Sequence, residues 1–220
     1  MATAVRPGRS RQAAAIATAV LALEKRNGLG LAAAIAVPVG HFTRAHGDPD
    51  ATERAIVMAA SLAIAAMVQG SEKAARKSWV KHSALEAASA APVDVNRPVT
   101  NAGRLSRAWR TKFDAVLVEK RSVHEAADEA LEAIQFRVNR VAAYETLKAW
   151  NEETIRQNDI AFRRGVIVTE TWEATLDMRT CPRCASMDGT SVVRPETFDE
   201  APPLHPFCRC FLTSQYNEAA

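Results

Sequence analysis

The chain has 220 residues, 48% of them hydrophobic and 24% charged, with a formal net charge of +3. That length supports one domain or two small ones around a buried core, and the composition is that of a soluble globular protein. No stretch is a convincing membrane span: the uncharged run 55–70 falls short of the roughly 18 residues a span needs and is mostly alanine. No secretory signal is expected either, because Glu24 and Lys25 interrupt the apolar stretch that follows the N-terminal arginines.

Much of the apolar content is alanine and only 6% of residues are aromatic, which predicts a mainly helical chain. Charge is uneven. Residues 71–121 hold eleven basic against five acidic side chains, and residues 122–178 hold six against eleven. A basic middle beside an acidic stretch suits either an acidic partner or two surfaces that face each other.

In chain order, residues 10–26 read as a helix with Ser10 as N-cap and Ile16, Val20 and Leu23 on one face. Asn27-Gly28 reads as its stop. Residues 28–42, broken by Pro38 and Gly40, fit a short helix or a buried extended piece. Asp50 and Glu53 form a capping-box pattern for a helix over 51–69 that has the option of continuing to about 90. Pro92, Pro98 and Gly103 mark a linker over 92–103. Beyond it, Trp109, Phe113, Val116 and Leu117 recur at helical spacing. Ser122 and Glu125 cap one long helix, or two joined near 139–143.

After Gly165 the pattern changes to strands, over 166–177, near 188–193 and over 209–216. The expected fold class is therefore α+β: a mainly helical first two-thirds, then a small antiparallel β-rich unit stapled by cysteines. The expected division is a helical region 1–91, the linker 92–103, and a domain 104–220 with helices over 104–164 and the β/Cys unit over 165–216.

All four cysteines lie in two short stretches, Cys181-Pro-Arg-Cys184 and Cys208-Arg-Cys210, with His205 three residues before Cys208. Five candidate ligands thus compete for the four places of a tetrahedral Zn²⁺. The two-residue spacing of Cys181 and Cys184 suits a knuckle, and Cys208 and Cys210 share one side of a strand. A disulfide framework remains the alternative to zinc. A thioredoxin-like redox pair needs a helix directly after the cysteines, and the short "ASMDGT" segment reads as too brief for one.

The stretch "WEATLDMRTCPRCASMDGT" followed by "PPLHPFCRC" resembles the C-terminal domain of phage Mu protein F-like minor head proteins, the tailed-phage head-morphogenesis family. Trp172, Asp177, Arg179, Thr180, Cys181, Cys184, Asp188, Gly189, Pro202, Pro203, His205, Pro206, Cys208, Arg209 and Cys210 carry the resemblance. Residues 140–152, with Tyr144-Glu145-Thr146 where the family has a Thr-Glu pair, extend it upstream. The likeness covers residues 137–212. Family members that keep Cys-Arg-Cys while replacing the first cysteines imply a structural clasp rather than dithiol chemistry.

The resemblance implies a minor virion component. Such a protein acts in head assembly, associates with the portal protein and with major capsid or scaffolding protein, and sits in the head interior or at the portal vertex after assembly in the host cytoplasm. Trp172, Asp177, Arg179, Asp188 and Gly189 would then be structural, with Asp177 and Arg179 holding the turn. Arg104, Arg107, Arg110 and Lys112 are candidate DNA contacts in the basic middle. A zinc-ribbon-like nucleic-acid-binding protein is the alternative, although the terminal unit is nearly neutral. An enzyme is not expected, because no nucleophile–base pair and no glycine-rich phosphate loop is present.

Overall fold

The computed structural model describes residues 11–45, 47–89, 96–119, 122–176 and 180–218. Four long helices come first: α1 (Arg11–Ala45), α2 (Pro49–Ser83), α3 (Asn96–Glu119) and α4 (Val123–Arg163). Strand β1 (Val166–Glu173), the short helix α5 (Pro182–Met187), β2 (Ser191–Val193) and β3 (Phe211–Glu218) complete the described elements. The α+β architecture is as expected from the pattern: helices, then a small antiparallel sheet of order β2-β1-β3.

Helix α1 passes through Asn27-Gly28 without stopping. The reason is packing. A Cβ at Gly28 would lie 3.2 Å from Asn139 Oδ1, so the glycine marks a close approach of α4 rather than a helix end. Helix α2 starts two residues before the predicted capping box: Asp48 is the cap, its carboxylate accepting from the Asp50 and Ala51 N–H groups at 2.8 and 3.2 Å, with Pro49 in the first turn. The helix then runs unbroken to Ser83, between the two expected ends at 69 and about 90.

The linker expected over 92–103 is helical from Asn96, and residues 90–95 lie outside the described set. Pro98 is tolerated because it falls in the first turn, where its missing N–H has no intrahelical partner to lose. Helix α4 is a single 41-residue helix, with Ser122 Oγ accepting from Glu125 N–H at 3.4 Å as the predicted cap. It ends at Arg163, and Gly165 two residues on, with a φ of +87°, provides the left-handed exit into β1.

The residues cluster into two compact units, each built from separate parts of the chain. One comprises residues 25–68 and 92–143. Its core holds Leu31, Ile35, Phe42, Ile56, Ile64, Leu105, Trp109 and Phe113. Trp109 stacks on Phe113 at 5.2 Å and meets Phe42 edge-on at 6.1 Å, so the period read from α3 correctly assigned these rings to the core.

The other unit comprises residues 1–24, 69–91 and 144–220 and carries the sheet. Val168 and Trp172 of β1 are fully buried. Antiparallel pairing sets Thr169 opposite Gln215 and Trp172 opposite Leu212. Trp150 and Leu147 of α4 join Ile16, Val20 and Phe211 in one core cluster. Trp172 anchors a second with Cys184, Cys208, Cys210 and Leu212. The strand end therefore brings the cysteines together, since Cys210 directly precedes β3 and β3 lies against the Trp172 strand.

Candidate metal centre

The site is built by two turns. Cys181 caps α5: its Sγ accepts from the Cys184 N–H at 3.3 Å, and Pro182 occupies the first helical position. Helix α5 takes in Ala185, Ser186 and Met187, the first half of the segment expected to hold no helix, and the chain turns at Asp188-Gly189. The second turn runs from His205 to Cys208, closed by the Cys208 N–H donating to the His205 carbonyl at 3.0 Å. Pro206 and Phe207 are its central residues, and Phe207 has a φ of +63°, a left-handed conformation that costs a non-glycine residue energy. The turn sets the His205 ring and the Cys208 thiol beside the first pair.

Among the described residues the donor atoms gather in threes, each group within 4.8 Å, and one sulfur pair has the spacing of a tetrahedral edge. Cys184 Sγ and Cys208 Sγ are 3.7 Å apart, and a Zn–S bond of about 2.3 Å implies a tetrahedral edge of about 3.8 Å. His205 Nε2 lies 3.1 Å from Cys181 Sγ and 3.3 Å from Cys184 Sγ. His205 Nδ1 sits 3.0 Å from the Pro206 carbonyl. A carbonyl only accepts, so Nδ1 carries the proton and Nε2 presents its lone pair to the sulfurs, the orientation a metal-binding histidine requires. The ligand atoms form two triads that share Cys184: Cys181, Cys184 and His205, and Cys184, Cys208 and Cys210. All five line a single cavity of about 10 Å³, together with Thr175, Thr180, Phe207 and Arg209.

The thiols are free and differ in acidity. The Cys210 thiol donates to Cys208 and holds it down to about 5. The same bond pushes Cys210 upward, with burial adding to it. Burial pushes Cys184 up to about 12, while the Cys184 N–H lowers Cys181. The donor set is thus sulfur-rich with one imidazole, and could hold a metal ion.

The other predicted motif residues fall around this centre. Trp172 is fully buried, and its backbone brackets the turn: its N–H donates to Thr190 and its carbonyl accepts from Gly189 at 2.8 Å. Asp188 Oδ1 accepts from the Ala174 N–H at 2.8 Å, joining β1 to the end of α5. Asp177 and Arg179 lie outside the described residues.

Sequence reasoning missed the supports on α4. Asn151 Nδ2 donates to the Cys210 carbonyl at 3.2 Å, and its Oδ1 accepts from the Leu212 N–H at 3.1 Å. Asn158 bonds Glu170 and Ser214 through Nδ2 at 2.7 and 2.8 Å and accepts from Trp79 Nε1 at 2.9 Å. Arg194, itself buried, pairs with the buried Glu170 at 2.8 Å and with Asp159. Polar residues on a charge-rich helix carry no sequence signal that separates buried from solvated positions.

The candidate DNA contacts lie on α3, in the unit without the cysteines. Arg110 is bound by Asp114 at 2.9 Å and by Asp50, which leaves Arg104, Arg107 and Lys112 as the exposed cations of the set.

A family model described as Phage Mu protein F like protein matches residues 63–213. The match spans more than half of the chain and contains every ligand of the cluster, so the chain belongs to the Phage Mu protein F-like family, a structural and morphogenesis family of phage heads. It begins well upstream of the 137–212 stretch that the motifs alone marked. No curated protein and no solved structure matches the chain.

Proposed function

We propose that the protein is a minor structural component of a tailed-phage head that works during assembly at the portal vertex. In this reading it contacts the portal protein and major capsid or scaffolding protein, and remains in the virion. Family membership over residues 63–213 is the observation that carries the proposal.

Within that role, one Zn²⁺ held by four of Cys181, Cys184, Cys208, Cys210 and His205 clasps the terminal unit. The ion supplies folding energy, not reactivity: a sheet with a three-residue edge strand is too small to hold its loops by burial alone. Co-expression with the portal protein tests the assembly role, the two being expected to co-purify. Purified virions that lack the chain would count decisively against it. Metal analysis of protein made under reducing conditions should give one zinc per chain, and zero zinc with four titratable thiols would remove the clasp.

A further inference from the structure

The two cysteine turns meet sulfur to sulfur. Cys184 Sγ and Cys208 Sγ are 3.7 Å apart, and both thiols are free. They stand on different segments, Cys184 in the first turn of α5 and Cys208 at the close of the His205 turn. Backbone bonds of 3.0 Å hold both turns, from Ala185 N–H to the Cys181 carbonyl and from Cys208 N–H to the His205 carbonyl. The two sulfurs have only to close by about 1.7 Å to reach bonding distance.

We propose that Cys184 and Cys208 are a redox pair: in oxidising surroundings their sulfurs join as a disulfide, and that bond and a bound metal ion exclude each other. The exclusion follows from counting. Any four of Cys181, Cys184, His205, Cys208 and Cys210 include at least one of the pair, and the bond leaves three donors. Cys184 is also the ligand the two triads share, so its loss breaks both. The bond ties the same two turns around Trp172 that an ion would tie. Formation of the bond rests on the thiol geometry alone, whereas displacement of an ion rests on the metal clasp proposed above. In that role the chain meets both surroundings, a reducing cytoplasm and then the oxidising exterior.

The step balances with a peroxide as oxidant. One sulfur attacks a peroxide oxygen, the O–O bond breaks, and water leaves a sulfenic acid behind. The second sulfur attacks that sulfenic sulfur, the S–O bond breaks, a second water leaves and the S–S bond forms. Two thiols lose two electrons, and one peroxide becomes two waters. Both sulfurs line the small cavity of the site, whose walls include half-buried Cys181 and His205 and the 39% exposed Phe207, so a molecule of peroxide size has a way in.

Stoichiometric hydrogen peroxide, added to the full chain with and without a chelator, tests this. Remaining thiols are blocked with iodoacetamide and the chain is cut with trypsin. Cleavage after Arg183 and Arg209 releases residues 184–209, whose only cysteines are Cys184 and Cys208, because Pro195 protects Arg194. That peptide should be two hydrogens light and unblocked, while the peptides holding Cys181 and Cys210 carry the blocking group. Cys181→Ser, which removes a rival partner of Cys184, should form the same bond to the same extent. A crosslink from 184–209 to either neighbouring peptide would overturn the proposal, and so would four blocked cysteines in the chelator-treated chain. Zinc-loaded chain should release its ion to a metallochromic dye in step with the bond, and a bond formed with zinc retained would overturn the exclusion. A chain that holds no zinc yet forms the bond would remove the clasp and leave the redox pair standing.

Discussion

Glu24 offers the sharpest test of the electrostatics beside the cysteine turns. Its carboxyl lies largely buried near the end of the α1 segment that packs on the sheet, and Oε1 has no hydrogen-bond partner. Burial raises its pKa to about 7, and Arg209, between the last two cysteines, offsets only part of that. The sign follows from proton counting. Between the unfolded value of 4.5 and about 7 the native state holds a proton that the unfolded chain has lost. The stability tied to Glu24 is thus complete below pH 4.5 and is lost as pH rises through 7.

The size of the effect is set by that shift, at about 1.4 kcal/mol per pH unit, or roughly 3 kcal/mol at full ionisation. Glu24→Gln keeps the shape and removes the titration. In urea unfolding at pH 8.5 the variant should be the more stable by roughly 3 kcal/mol, a midpoint gain of about 1 M. At pH 4.5 the two should agree within about 1 kcal/mol. Parallel stability-against-pH curves for parent and variant would refute the reasoning.

Three further outcomes are expected. Asn151→Ala leaves the Cys210 carbonyl and the Leu212 N–H unpaired in a buried place, and should cost about 2–4 kcal/mol in chemical denaturation. Arg194→Met strands the buried Glu170 carboxylate and should cost about 3–5 kcal/mol, whereas the double change R194M/E170M should recover most of that loss; equal costs would show the pair is not the issue. Treatment with a zinc chelator should change the near-ultraviolet dichroism of Trp172, which packs on the cysteines, while the far-ultraviolet helical signal stays; an unchanged Trp signal would argue against a metal clasp.

The helical pattern of the chain was legible where one face is apolar, as around Trp109 and Phe113, and the strands where β-branched residues alternate, as over Val166–Glu173. Punctuation was less legible. Gly28 and Pro98 look like breakers, yet one serves a close helix approach and the other a first helical turn. Both uses depend on what lies opposite or at the cap.

The candidate site divides the same way. Residue type and spacing alone bring Cys181, Cys184, His205, Cys208 and Cys210 forward as candidate ligands, with a disulfide framework as the alternative, and the fold gathers them into two triads that share Cys184. The left-handed turn at Phe207, the Pro206 carbonyl that orients His205, and the Asn151 and Asn158 bonds from a helix far back in sequence belong to the fold. So does the exposure of Leu29, Val37, Met58 and Leu62 on α1 and α2. An alanine-rich helix reads as apolar on every side, and only the placement of its neighbours decides which side is left exposed.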